Sequence, residues 1–152
     1  MASALKTGRD ALREALAGAD EQLATRKPRP SSWSILECVE HPVVSERQSR
    51  RRGYDRGAGA ARPGIRFGSL SEALLAFDSA RAETVPFVEG FSGDLRSWIT
   101  DHPRVAGPVN CYEILLMISV HPPRHAKQIT EIRQAWAGTS GDACLRSPTI
   151  HQ

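Results

Sequence analysis

A single stripe of side chains between Ile114 and Trp136 constrains this sequence more than any other feature. Its members recur at steps of three or four residues, which is the spacing of one face of a buried amphipathic helix. Two of them, His121 and His125, lie four residues apart and therefore point the same way. The stripe comprises Ile114, Ile118, His121, His125, Ile129, Ile132 and Trp136.

The two inward-facing imidazoles need polar partners, because burying a polar group without one costs free energy. A lone inward histidine is usually a hydrogen-bonded core residue, whereas a divalent metal would satisfy both rings at once. Catalytic metal sites usually take three protein ligands and leave one position to water. The histidine pair therefore predicts a third metal ligand elsewhere in the chain.

His41 is the candidate third ligand. It lies on a second predicted helix that opens at Ser34, where Ser34 and Glu37 have the spacing of a capping box. Pro42 follows directly, and because proline removes a helical hydrogen bond we expect the helix to kink there or to end soon after. The stripe of this helix comprises Ser34, Cys38, His41 and Ser45.

The acidic and thiol groups near His41 are interpreted as structural. Glu37 is committed to the capping box, and Glu40 points about 100° away from His41 around the helix. Neither is assigned as a general base. Cys38 lies one turn before His41 on the same face, where a small core residue is favoured over a pocket-lining or metal-binding thiol.

The remaining histidines and cysteines add no site. His102 precedes a proline in a predicted surface turn, and His151 lies in a polar tail. The cysteines, three in number, share no short spacing, so the sequence indicates neither a disulfide framework nor a cysteine-rich zinc site. They are Cys38, Cys111 and Cys144.

Four amphipathic helices and no convincing alternating strand pattern predict an all-α, four-helix bundle with a long crossover loop. A third helix opens at a second capping box, Ser69 to Glu72, and the fourth is interrupted by Pro122 and Pro123, with a restart predicted at Pro122. Pro108 fits the first position of that last helix. The third stripe comprises Leu70, Leu74, Phe77, Arg81, Thr84 and Val88. Besides the helix that opens at Ser34, the predicted helices cover 5–25, 69–90 and 112–136, and residues from about Gln48 to Gly68 form the predicted long loop.

The length of 152 residues fits one domain, which we divide into a bundle at 1–137 and a polar tail at 138–152. The hydrophobic content of 40% and charged content of 24% are ordinary for a soluble protein. No apolar run is long enough to span a membrane, and the first residues lack the apolar block of a secretory signal. We therefore expect a cytoplasmic protein that does not bind membranes.

The net charge of +3 is concentrated between Arg47 and Arg66, where seven arginines oppose the single acid Asp55. A basic patch of this kind can bind nucleic acid. Here it has only Tyr54 as an interleaved aromatic and lies in a stretch rich in glycine and alanine. A solvated basic loop is therefore favoured over a nucleic-acid site.

Three motifs give the chain a resemblance to the DinB superfamily of four-helix metalloproteins, over about residues 8–136. They are Trp-Ser-Ile-Leu-Glu-Cys-Val-Glu-His at 33–41, His-Pro-Arg-Val-Ala-Gly-Pro at 102–108, and the segment 121–132, which ends Arg-His-Ala-Lys-Gln-Ile-Thr-Glu-Ile. The family's metal histidines match His41, His121 and His125. This sequence departs from the usual pattern at Pro42, Pro122 and Pro123.

The resemblance implies a divalent metal, with zinc or nickel first and iron or manganese as alternatives. Some members of the family resemble thiol S-transferases that use low-molecular-weight thiols, and others resemble hydrolases or an isomerase. We expect a metal-dependent transferase or hydrolase acting on a small-molecule substrate. The alternative is a non-catalytic bundle with a degenerate metal site, acting as an interaction or stress protein. The sequence leaves a homodimer open.

Overall fold

Four long helices frame the computed structural model, which describes residues 1–51, 66–101 and 107–143. The elements are α1 (Ala2–Leu16), α2 (Glu21–Ala24), α3 (Ile35–Arg51), α4 (Leu70–Gly90), β1 (Ile99–Asp101), β2 (Pro108–Asn110) and α5 (Cys111–Ala143). Helix α1 packs against α4 and α5, and α3 packs against the same two helices. Helices α4 and α5 therefore occupy opposite corners of a four-helix bundle, which confirms the predicted fold class.

The first helix is shorter than predicted. Helix α1 ends at Leu16 rather than near Thr25, and Gly18 adopts a left-handed backbone with φ of +66°. Glycine takes such a conformation without steric cost, so the chain turns there. The short helix α2 then starts at Asp20, whose carboxylate accepts a hydrogen bond from the Gln22 N–H at 2.8 Å.

Both predicted capping signals are found at helix starts. At α3, the Glu37 N–H donates to Ser34 Oγ at 3.2 Å, and the Ser34 N–H donates to Glu37 Oε2 at 2.8 Å. At α4, the Glu72 N–H donates to Ser69 Oγ at 3.0 Å. The Glu72 carboxylate reaches one residue further back than the motif predicts and accepts from the Gly68 N–H.

The sequence predicted that prolines would interrupt two helices, but both helices continue through them. Helix α3 continues through Pro42 to Arg51, so the predicted loop from Gln48 begins late, and its residues 52–65 lie outside the described part. Helix α5 runs unbroken through Pro122 and Pro123 for 33 residues, with no restart. It ends at Ala143 rather than Trp136. Packing between the helices therefore outweighs the free-energy cost of the backbone hydrogen bonds that these prolines cannot donate.

A small two-stranded sheet before the last helix was not predicted from the sequence. Strands β1 and β2 pair antiparallel with Ile99 opposite Asn110 and Asp101 opposite Pro108. Pro108 therefore begins a strand rather than the last helix. Helix α5 opens instead beyond Asn110, whose side chain accepts from the Glu113 N–H at 2.9 Å while the Asn110 N–H donates to Glu113 at 2.8 Å.

Two apolar clusters fill the bundle. Along α4 and α5, the residues between these clusters include Arg81, His121 and His125, so polar side chains occupy the middle of the molecule. Within the residues that the structure describes, no helix is both long and apolar enough to cross a membrane. The larger cluster includes Leu12, Ile35, Phe77 and Ile129, and the smaller one comprises Leu5, Val85, Val109, Ile114 and Ile118.

Replacing Gly8 by alanine tests the close packing of α1 on α5. A Cβ at this position would lie 2.7 Å from the Ser119 carbonyl oxygen and 3.4 Å from Pro123 Cδ. Alanine is the better helix former by about 1 kcal/mol, yet the two helices would have to separate. We expect a net loss of about 1–3 kcal/mol in the free energy of unfolding, measured with urea.

The matched control for this variant is Gly90→Ala, because nothing lies within 4 Å of a Cβ built at Gly90. This control should keep the stability of the wild type or slightly exceed it. Equal stability of the two variants would mean that α1 and α5 are not in close backbone contact.

Candidate metal centre

The structure brings the three predicted histidines together in the interior of the bundle. His41 comes from α3, and His121 and His125 come from successive turns of α5. One ring nitrogen from each lies within 4.8 Å of those of the other two. The ring centroids are 4.7 Å apart for His41 and His121, 5.0 Å for His121 and His125, and 5.3 Å for His41 and His125.

This separation suits a metal ion. Nitrogens bound to one tetrahedral zinc at about 2.0–2.1 Å lie roughly 3.4 Å from each other. Small side-chain rotations would bring the histidine nitrogens from their present positions to that spacing. No other group of three or more potential ligands is found in the described ranges. That His41, His121 and His125 bind a metal stays a prediction.

His125 is the most deeply embedded ligand candidate. Both of its ring nitrogens are buried and have no hydrogen-bond partner among the described residues. Burial, with smaller contributions from the imidazoles of His121 and His41, lowers the pKa of His125 to about 3. The Gln128 amide opposes this shift but lies outside hydrogen-bonding geometry. The ring is therefore neutral near pH 7, which is the form that binds a metal.

Trp33 packs directly against the histidines. Its ring stacks on His125 with a centroid distance of 5.2 Å and an interplanar angle of 11°, and it meets His41 edge-on at 5.0 Å. Trp33 immediately precedes Ser34, so the capping box that starts α3 also fixes the position of this ring. This contact of Trp33 with the histidines was not predicted from the sequence.

The two carboxylates near His41 are engaged in structural contacts. Although burial raises the pKa of Glu37, hydrogen bonds from Lys27 and Ser34 outweigh it and lower the pKa overall. Glu40 Oε1 accepts from the backbone N–H groups of Arg66 and Phe67, and burial raises the pKa of this carboxyl group. Its other oxygen, Oε2, is buried without a hydrogen-bond partner among the described residues. That neither Glu37 nor Glu40 is a general base stays a prediction.

Cys38 lies fully buried in the larger apolar cluster. Burial, with a smaller contribution from the nearby Glu37 charge, raises the pKa of its thiol to about 12. The reactive thiolate is therefore absent near pH 7. Cys38 is a core residue, which was the favoured interpretation.

A buried ion pair between α3 and α4 was not predicted from the sequence. Arg81 Nη2 lies 3.1 Å from Glu46 Oε2, and both side chains are 1% exposed. The same Nη2 donates to the Ile118 carbonyl at 3.4 Å. The sequence partly indicated this ion pair, because an arginine on an apolar helix face requires a buried partner. Nothing in the pattern of α3 identified that partner as Glu46.

A cavity of about 430 Å³ begins one turn of α5 before His121. This volume is in the range of small-molecule sites. Uncharged side chains line it, among them Thr84, Trp98, Cys111, Ile114, Leu115 and Ile118.

Several predictions fall outside the described residues. These are the placement of His102 and His151 and most of the arginine-rich stretch from Arg47 to Arg66, since 52–65, 102–106 and 144–152 are not described. The division at residue 137 is also untested and stays a prediction.

Comparison with known proteins matches this chain to a family model and to a solved four-helix bundle. The family model described as the DinB superfamily matches residues 4–129. The solved structure "Crystal structure of TT2238, a four-helix bundle protein" is 27% identical, with a TM-score of 0.62. The match covers 85% of this chain and 94% of that chain. No curated protein matches.

Proposed function

Because this chain belongs to the DinB superfamily, we propose that it binds a divalent metal through its three histidines and uses it in a reaction on a small molecule. One observation carries the proposal. One ring nitrogen from each of His41, His121 and His125 converges within 4.8 Å of the other two in the bundle interior. Both ring nitrogens of His125 are buried without a hydrogen-bond partner among the described residues, which costs free energy unless a ligand satisfies them.

The ligand chemistry favours zinc or nickel. Imidazole suits zinc, nickel and iron, whereas manganese prefers carboxylate and water oxygens. Three histidines leave a coordination position open, as in catalytic rather than structural sites. An ion held there would act as a Lewis acid and lower the pKa of a bound water or thiol.

The chain's own residues support a reaction with an external nucleophile. Glu37 and Glu40 are hydrogen-bonded to other groups, and the Cys38 thiol has a pKa of about 12. Glu37 cannot act as the base without leaving its contacts, and the Cys38 thiol stays protonated near pH 7. Glu40 keeps one buried oxygen, Oε2, without a hydrogen-bond partner among the described residues. The reactions that fit are hydrolysis by water or transfer to a low-molecular-weight thiol. The cavity of about 430 Å³ could hold a small-molecule substrate; Ile118 lines it, but none of the three histidines does.

Elemental analysis of the purified wild type beside His121→Ala tests the proposal. We expect about one equivalent of a transition metal per wild-type chain, since each ligand of such a site is required for tight binding. The variant should retain little metal. Lys127→Ala, an exposed substitution on the same helix, is the control and should keep the wild-type content.

The same measurement separates the two functional hypotheses. A wild type that carries no metal, and takes none up on dialysis against zinc or nickel, would contradict the enzyme proposal and favour a non-catalytic bundle. If metal is present and depends on His121, thiol-transfer and hydrolase substrates can be screened with the loaded protein. His121→Ala serves as the inactive reference.

A further inference from the structure

Two prolines leave two carbonyl groups of α5 without their helical donors. In an α-helix the N–H of each residue donates to the carbonyl four residues earlier. Pro122 and Pro123 have no N–H, so the carbonyls of Ile118 and Ser119 receive no such bond. Both carbonyls lie in the turn that leads directly to His121.

Other helices approach each of these carbonyls. The Ser119 carbonyl faces Gly8 of α1 so closely that a Cβ there would lie 2.7 Å from its oxygen. The Ile118 carbonyl accepts from Arg81 Nη2 of α4 at 3.4 Å. This distance is long for a hydrogen bond, but the donor is a full positive charge in a buried environment. Arg81 thus supplies the Ile118 carbonyl with the donor that Pro122 lacks.

Arg81 is held in place to make this contact. Glu46 of α3 lies 3.1 Å from the same nitrogen, and the Phe77 ring lies 5.3 Å from the guanidinium carbon. A buried ion pair often adds little to the free energy of unfolding, because apolar residues of similar volume can stabilise the fold equally well or better. Its contact with α5 gives this pair a second role.

We infer that Arg81 is a positioning residue for the histidine site, which fixes the turn of α5 that carries His121 by donating to the Ile118 carbonyl. The inference rests on the proposed metal site. Ile118 lies three residues before His121, so a change in the bend of this turn moves the His121 ring relative to His41. Groups that orient metal ligands typically change metal affinity about 10–100-fold when they are removed.

The test uses the double variant Glu46→Leu/Arg81→Leu, which removes the donor without leaving a buried charge unpaired. Binding of Co²⁺ is followed by its visible absorption spectrum, which reports the number and geometry of ligands. We expect at least a tenfold weaker affinity than wild type and an altered spectrum. Lys6→Ala/Glu89→Ala, which removes an exposed ion pair, should leave both unchanged.

A rescue experiment separates positioning from general stability. Adding Pro122→Ala to the double variant restores an N–H that can donate to the Ile118 carbonyl. We expect this triple variant to recover the wild-type spectrum and an affinity within about threefold of wild type, and Pro122→Ala alone to bind Co²⁺ like wild type. A merely structural role for Arg81 predicts no such recovery.

The outcomes distinguish the inference from the proposed function. If the wild type takes up no Co²⁺, the proposed function is wrong and the inference fails with it. If the wild type binds and the double variant matches it, or is weakened without rescue, the inference alone is overturned. Should the double variant not fold by circular dichroism, Arg81→Lys with and without Pro122→Ala replaces it. We expect the shorter lysine ammonium group to pair with Glu46 without reaching the Ile118 carbonyl. The same expected loss of Co²⁺ affinity and the same rescue by Pro122→Ala apply to this variant.

Discussion

Replacing Glu46 by alanine is expected to lower the free energy of unfolding by about 3–5 kcal/mol, because it leaves the Arg81 charge buried without its carboxylate. Both side chains are 1% exposed, so water cannot take over the role of Glu46. A loss of this size is a large part of the total stability of an ordinary domain, which is about 5–15 kcal/mol. Urea denaturation followed by circular dichroism measures it.

The exposed pair of Lys6 and Glu89 provides the comparison. Its side chains are 51% and 48% exposed, and pairs of this kind contribute little because water screens them. Glu89→Ala should therefore cost less than about 1 kcal/mol. A similarly small loss for Glu46→Ala would mean that the Arg81 charge is reached by solvent and that the ion pair is not a core feature.

Metal binding should raise the melting temperature of the wild type by about 8–16 °C when the free ion is at 1,000 times its dissociation constant. Selective binding to the folded state then contributes about 4 kcal/mol. For a chain of this length each kcal/mol corresponds to about 2–4 °C. The same addition to His125→Ala should produce almost no shift, because the embedded ligand is gone.

Differential scanning fluorimetry of metal-free protein, with and without zinc or nickel, measures these shifts. Lys127→Ala should respond like the wild type, and Mg²⁺ should shift neither protein, since it prefers oxygen ligands. A shift of equal size in wild type and His125→Ala would place the stabilising ion elsewhere on the molecule. That result would contradict the three-histidine site.

The features predicted correctly from the sequence are those fixed by short-range patterns. The capping residues at Ser34 and Ser69 act within three residues, so their hydrogen bonds follow from local spacing. The four-residue interval between His121 and His125 places both rings on one face, whatever the rest of the chain does. His41 was found because a three-ligand site required one more histidine.

The features that were missed depend on contacts between distant residues or on competing local signals. The pairing of Ile99 with Asn110 involves only three residues a strand, too few for an alternating pattern to stand out. Pro108 was assigned to a helix start because proline favours that position, whereas the cap is formed by Asn110 and Glu113. The effect of Pro122 was overestimated because the donor that compensates for it belongs to Arg81, on another helix.

The packing of α1 on α5 has a consequence for the order in which this protein can fold. Arg133 donates to the Ala15 carbonyl at 2.7 Å across 118 positions of sequence, and Leu5 packs in one cluster with Ile114 and Ile118. During synthesis, α1 therefore emerges long before the helix that covers it. Closing such a long loop lowers the chain entropy before the contacts between α1 and α5 can stabilise the structure. We expect slower folding than in bundles whose neighbouring helices are consecutive, and an α1 whose α5-facing side stays uncovered until α5 is complete.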